Sequence, residues 1–371
     1  MIHIGDSTDY SEPGHIVDRE ERVEIPIWHT GIFAQSGMGK TKLLKYMISQ
    51  AVKEHFRVII FDSKVVGPEF VGIGQEAPLF LRESTDPDVF RSLLEDMRTK
   101  GRGNMERYRG GFIELCDPPD GEPAKDFAEI EKRLQKKLSD KKIRGSTRLM
   151  YYEINHDLVK LKKLIQSKEI ASEPSTPNSM IVRYPTWQLP RLALQGLVVK
   201  SVIEEAMPFA KKTIFVIDEA PNFIHQRKFN PAKDAIQTLD AQGRSNELFG
   251  WYCGQTLTGF DKANMKNLWY WVIGREMEPN EAKDAYDIQT TKILSVDQIR
   301  TLKVRQFIVA TPDTTKLITV PMVDEKALFP LENVDVMPWG EEIRPLPPIK
   351  DEVIPSKLEE RLLKLEKELQ E

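Results

Sequence analysis

AQSGMGKT, Ala34 to Thr41, sits between two segments of different periodicity. Before it, IWHTGIF (Ile27 to Phe33) is half apolar and rich in β-branched and aromatic residues, which suits a buried strand. After it, KLLKYMISQAV repeats apolar residues at helical spacing. A Gly-rich turn between strand and helix is the context that a nucleotide phosphate loop needs: N–H groups of the turn and the first helical turn face the phosphates, where the helix dipole favours negative charge. Ser36, Gly37, Met38, Gly39, Lys40, Thr41 and Lys42 are therefore the candidate cofactor-binding residues, with Gly37 and Gly39 allowing close backbone approach. Lys40 is expected to reach the β- and γ-phosphates, and the Thr41 hydroxyl to ligate the Mg²⁺ that bridges them. The expected cofactors are thus ATP and Mg²⁺. The strict motif opens with glycine, and here that position is Ala34.

A chain of 371 residues, 40% hydrophobic and 30% charged, has room for one large or two modest domains. No apolar run is long enough to span a bilayer, and the first residues lack the layout of a signal peptide, so a cytoplasmic location is expected. The two cysteines, Cys116 and Cys253, stand far apart without neighbours at ligand spacing, which argues against a disulfide framework or a zinc site. A net charge of -4 gives no global reason for nucleic-acid binding; any such surface has to be local.

A second chemical signal lies in TIFVIDEA, where Ile214 to Ile217 read as a central strand that ends in two acids. Beside a phosphate loop this is a Walker B strand, with Asp218 expected to hold Mg²⁺ and Glu219 to act as general base on the attacking water. RVIIFD reads as another buried parallel strand, ending in Asp62. LFGWYCGQ ends in Gln255, placed to sense the γ-phosphate or orient water. Two arginines are candidates for a finger set against transition-state charge: Arg244 in GRSNE is favoured, and Arg275 in IGRE is the alternative finger or sensor.

The remaining chain divides into recognisable pieces. Residues 1–26 read as an extended segment forming an edge hairpin. Residues 27–100 and 180–329 alternate strand and helix, which predicts a mostly parallel sheet with helices on both faces. Asp86 with Pro87, and Asn230 with Pro231, supply helix starts. RQFIVAT and KLITV form a final hairpin. Residues 101–179 read as a helical insertion, Gly- and Pro-rich at first. Its Lys132, Arg133, Lys136, Lys137 and Lys141 are either a nucleic-acid grip or a solvated helix face. The tail, 330–371, is proline-rich and then helical, with a capping box at Ser356 and Glu359. Its leucine repeat suits docking either on a neighbouring subunit or on its own domain.

In order, AQSGMGKT, IIFDSK, IFVIDEAPNFI, GRSNELFGWYCGQT and WVIGRE resemble the HerA/FtsK superfamily of P-loop DNA motors, which also place a His before the first strand, here His29. The resemblance implies an α/β fold with a RecA-like P-loop NTPase core. It also implies a homohexameric ring and ATP-driven movement of double-stranded DNA. Only about 25 residues precede the core, too few for the N-terminal barrel of HerA helicases, and no winged-helix domain of the FtsK type follows it. A compact relative serving a viral or plasmid packaging, transfer or processing machine fits that outline. A secretion or pilus-type export ATPase and a nucleotide-dependent interaction scaffold are the alternatives, and Glu219 weighs against the scaffold because a hydrolytic base suits turnover.

Overall fold

The computed structural model describes residues 1–9, 17–64, 67–97, 108–322 and 328–329. The expected tail helix lies outside these residues.

The strands are β1 (Ile2–Asp9), β2 (Val17–Ile25), β3 (Thr30–Phe33), β4 (Arg57–Phe61), β5 (Gln75–Glu76), β6 (Ile181–Tyr184), β7 (Thr213–Ile217), β8 (Leu248–Gly254), β9 (Tyr270–Ile273), β10 (Gln306–Ala310) and β11 (Thr315–Thr319). They form one 11-stranded sheet in the order β2-β1-β11-β10-β9-β3-β8-β7-β4-β6-β5. From β9 to β5 every pairing is parallel. From β9 outward the pairings are antiparallel, so the N-terminal hairpin and the final hairpin together form a wing on the parallel core. The α/β RecA-like expectation therefore holds for the core.

Strand periodicity sorts the core into two layers. Ile32, Val58, Ile60, Ile214 and Val216 face the helix that follows the Gly-rich turn, α1 (Lys40–Lys53), with its buried Leu43, Leu44, Met47 and Ile48. Alternate residues Phe33, Ile59, Phe61, Phe215 and Ile217 point to the other face. That face is covered by α2 (Pro87–Met97), then α3 (Arg109–Cys116), α4 (Phe127–Ser139) and α5 (Gly145–Ser167), and next α6 (Leu192–Ala206) and α7 (Ala232–Gln242). Three short helices follow: α8 (Lys262–Asn267), α9 (Pro279–Ile288) and α10 (Val296–Arg300).

The insertion is helical, and it shares the core of its face. Ile130, Leu134 and Leu138 of α4 are buried, as their spacing predicts, in the same cluster as α2 and α6. Its basic residues divide. Arg133 donates to the carbonyls of Leu115, Cys116 and Glu122 and pairs with Glu129, so it ties off the end of α3. Lys137 pairs with Glu114, whereas Lys132, Lys136 and Lys141 are exposed. Among the described residues no helix is long and apolar enough to cross a membrane. Both cysteines are buried free thiols, and burial pushes the Cys116 thiol up to about 12.

Candidate active site

Parallel strands deliver their carboxyl ends to one edge, so the residues just beyond β3, β4, β7, β8 and β9 meet there. The turn after β3 leaves the sheet at Ala34, whose N–H donates to the Gly254 carbonyl at 3.3 Å, while the Gln35 N–H donates to the Arg275 carbonyl at 3.2 Å. Gly37 and Gly39 both take left-handed backbone, φ 82° and 91°. A Cβ at Gly37 would meet nothing within 4 Å. These two positions demand glycine for their dihedral angles, and the loop opens onto space a phosphate can occupy. Lys40 and Thr41 follow as the first residues of α1. Ser36 and Lys42 are exposed, whereas Met38 is fully buried and its side chain serves the core. Its N–H donates to the Gln35 carbonyl at 3.3 Å, and its carbonyl accepts from the Arg305 N–H at 2.9 Å.

Between the phosphate-loop strand and the acid-bearing β7 lies β8. This order puts Gln255 beside Glu219, and its amide Nε2 donates to Glu219 Oε1 at 2.7 Å. Glu219 adopts a left-handed conformation, φ 51° and ψ 42°, rare for a side-chain-bearing residue and usual where a site dictates geometry. Beyond Gln255 the chain is held by Glu281 of α9, which accepts from the Leu257 and Thr258 N–H groups and the Thr258 hydroxyl. Gly254 must be small, because a Cβ there would lie 2.8 Å from Pro221.

Asp218 is 3% exposed, and its Oδ2 has no hydrogen-bond partner among the described residues. Burial pushes its carboxyl up to about 7, the neighbouring Glu219 adds to the rise, and Lys40 opposes it. Glu276, directly after Arg275, is 2% exposed with an unpartnered Oε1. Burial pushes it up to about 8, Glu281 adds, and Lys40 again opposes. Asp62 is fully buried and pairs with Arg183; burial raises its pKa against the pull of that arginine.

A Mg²⁺–nucleotide fits this donor set. Thr41 supplies a hydroxyl, Asp218 an orphaned carboxylate oxygen, and the glycine turn backbone N–H groups. Among the described residues no group of three His, Cys, Asp or Glu converges as a protein-only metal site. Mg²⁺ binds through one or two protein oxygens together with phosphates and water, and Thr41 and Asp218 can supply those two oxygens.

The two arginines part company. The Arg275 carbonyl is bonded to the phosphate loop, and its half-buried side chain has an unpartnered Nε. Arg244 stands before the start of β8, at the opposite edge of the sheet, with its guanidinium 4.6 Å from the Trp28 ring. The seven residues of β8 alone separate the two edges by roughly 20 Å, so Arg244 is not brought to its own chain's phosphate loop. Two further groupings escaped sequence reading. Glu69 accepts hydrogen bonds from the Thr41 hydroxyl and the Lys64 ammonium. Asp240 accepts from the Tyr252 hydroxyl and from Asn264 Nδ2 beside buried His29. The acid at position 69 could be noticed only as a charge shortly after the quoted IIFDSK; Asp240 had no local signal.

A fold with a phosphate loop after β3, acids after β7 and a glutamine-bearing strand between them defines the P-loop NTPases of RecA-like type. Comparison narrows this. Residues 11–70 match the family model described as "Helicase HerA, central domain". VirB4 of Thermoanaerobacter pseudethanolicus superposes with a TM-score of 0.60 at 14% identity, over 88% of this chain and 98% of that one. The bacterial conjugative coupling protein TrwB superposes with a TM-score of 0.52 at 13% identity, over 80% of this chain and 85% of that one. The same plasmid coupling protein in complex with ADP and Mg²⁺ gives 0.53 at 13% identity and the same coverage. No curated protein matches the chain. The chain thus resembles the HerA/FtsK-type P-loop ATPases in both its phosphate-loop region and its fold.

Proposed function

We propose that this protein hydrolyses ATP with Mg²⁺ and uses the energy to move double-stranded DNA through a ring of identical subunits, six in number. The observation that carries the hydrolytic half is the Gln255 to Glu219 contact at 2.7 Å, on a strand lying between the phosphate loop and Asp218. Lys40 binds the β- and γ-phosphates, and Thr41 and Asp218 hold the metal, which neutralises phosphate charge when bound. Glu219 takes the proton of a water whose oxygen attacks the γ-phosphorus. The bond from that phosphorus to the bridging oxygen breaks, and ADP leaves with the negative charge. Gln255 holds Glu219 in position and reads whether the γ-phosphoryl is present, while Arg275 sits where it can serve as the sensor of its own site.

Arg244 acts as the finger on the neighbouring subunit's site, because its own site lies a strand's length away. The likeness to a DNA-handling family supports DNA as the cargo. A grip on the phosphate backbone is sequence-independent and salt-sensitive, each contact adding about 0.9 to the slope of log affinity against log salt. The test is ATP turnover with and without long double-stranded DNA at rising salt. Stimulation that salt removes is the expected result. Turnover indifferent to DNA at low salt overturns the DNA motor and transfers the reading to an export ATPase.

A further inference from the structure

Glu69 belongs to no motif, yet it reaches the hydroxyl on which the metal reading depends. Its backbone is fixed by the next residue, Phe70, which is 1% exposed and whose carbonyl accepts from the Ile73 N–H at 3.1 Å. The carboxylate accepts from Thr41 Oγ1 with one oxygen and from Lys64 Nζ with the other, and the Glu69 side chain is 24% exposed. A hydroxyl has one proton and two lone pairs. With its proton directed to Glu69, Thr41 keeps its lone pairs for another partner, and Asp218 keeps a carboxylate oxygen without one. The Lys64 ammonium stops the carboxylate from swinging and offsets its charge beside Asp218 and Glu219.

We propose that Glu69 is a positioning residue for the magnesium ligand: it takes the Thr41 proton so that the hydroxyl oxygen faces the metal, and Lys64 holds Glu69 in that role. The inference rests on Mg²⁺–nucleotide binding at the phosphate loop. Groups that orient a metal ligand typically contribute about 10- to 100-fold in metal affinity.

The experiment is calorimetric titration of the full chain with ADP, in excess Mg²⁺ and in excess chelator. Glu69→Ala is expected to weaken binding about tenfold with Mg²⁺ and to leave metal-free ADP affinity unchanged. Glu69→Gln, whose carbonyl can still accept from Thr41, is expected to recover part of the loss. In a Thr41→Ala background, Glu69→Ala is expected to add nothing further. Equal losses with and without metal would mark a merely structural residue and overturn the proposal, as would unchanged or tighter binding in Mg²⁺. Should Glu69→Ala fail to fold, Lys64→Met supplies the same comparison, with a smaller metal-dependent loss expected and a metal-independent one fatal. Failure of the wild-type chain to bind ADP under either condition would instead defeat the nucleotide reading itself.

Discussion

Single carboxylates carry the sharpest expectations. Glu219 touches Gln255 rather than the phosphate loop, so Glu219→Gln should bind ATP normally while turnover falls by roughly 10²- to 10⁴-fold, the usual worth of a general base. Lys40→Ala should instead lose nucleotide affinity, and a binding titration beside a phosphate-release assay separates the two. Glu276 makes a different kind of statement. Its carboxyl titrates near 4.5 when unfolded and at about 8 in the fold, raised chiefly by burial. Between those values the folded chain holds a proton that the unfolded chain has released, so this stability is complete below about 4.5 and drains away as pH rises to 8. Each pKa unit corresponds to about 1.36 kcal/mol, so the total is on the order of a few kcal/mol. Thermal melts at pH 6 and pH 8 should show a smaller drop in Tm for Glu276→Gln than for the wild type, and an equal drop would remove the assignment.

At the scale of elements, the insertion's charges fall into two groups that a helical wheel cannot distinguish. Arg133 donates to the last two carbonyls of α3 and to the Glu122 carbonyl beyond it, so Arg133→Ala should destabilise the chain by about 1 to 3 kcal/mol whether or not DNA is present. Replacing the exposed Lys132, Lys136 and Lys141 together by Gln should leave the melt unchanged and test DNA stimulation cleanly. A matching loss of stability in that triple variant would contradict the division. The same contrast shows what sequence alone could reveal. β3, β7 and α1 were legible because their signals are local: apolar runs, two glycines and a following amphipathic face. α3 was hidden by Gly110 and Gly111, poor helix formers that lie in the helix because Gly111 fits against Met150. α9 buries only the small Ala282 and Ala285 with Glu281, too faint a periodicity to notice. Glu69 and Asp240 work through contacts far along the chain, at Thr41 and at Tyr252, that no window of sequence contains.

The whole molecule is polar in the geometric sense: phosphate loop and acids at one edge of the sheet, Arg244 on Trp28 at the other. If Arg244 serves a neighbour's site, the arginine edge of one subunit meets the loop edge of the next, and repeated head-to-tail contacts of that kind generate a ring when their rotation closes. Arg244→Ala should therefore assemble and bind ATP but turn it over about 10³- to 10⁵-fold more slowly. Mixed with Lys40→Ala, it should regain activity at the interfaces that pair an intact loop with an intact arginine. No recovery, once subunit exchange has been demonstrated, would count against a finger acting between subunits. The arginine end also carries its own reporter. Trp269 is 46% exposed and stands 5.2 Å from Trp28, while Trp251 and Trp271 are buried at 0% and 9%. Covering Trp269 by a neighbouring subunit would shift its indole emission to the blue, so association through the arginine end can be followed in the light of the unlabelled protein.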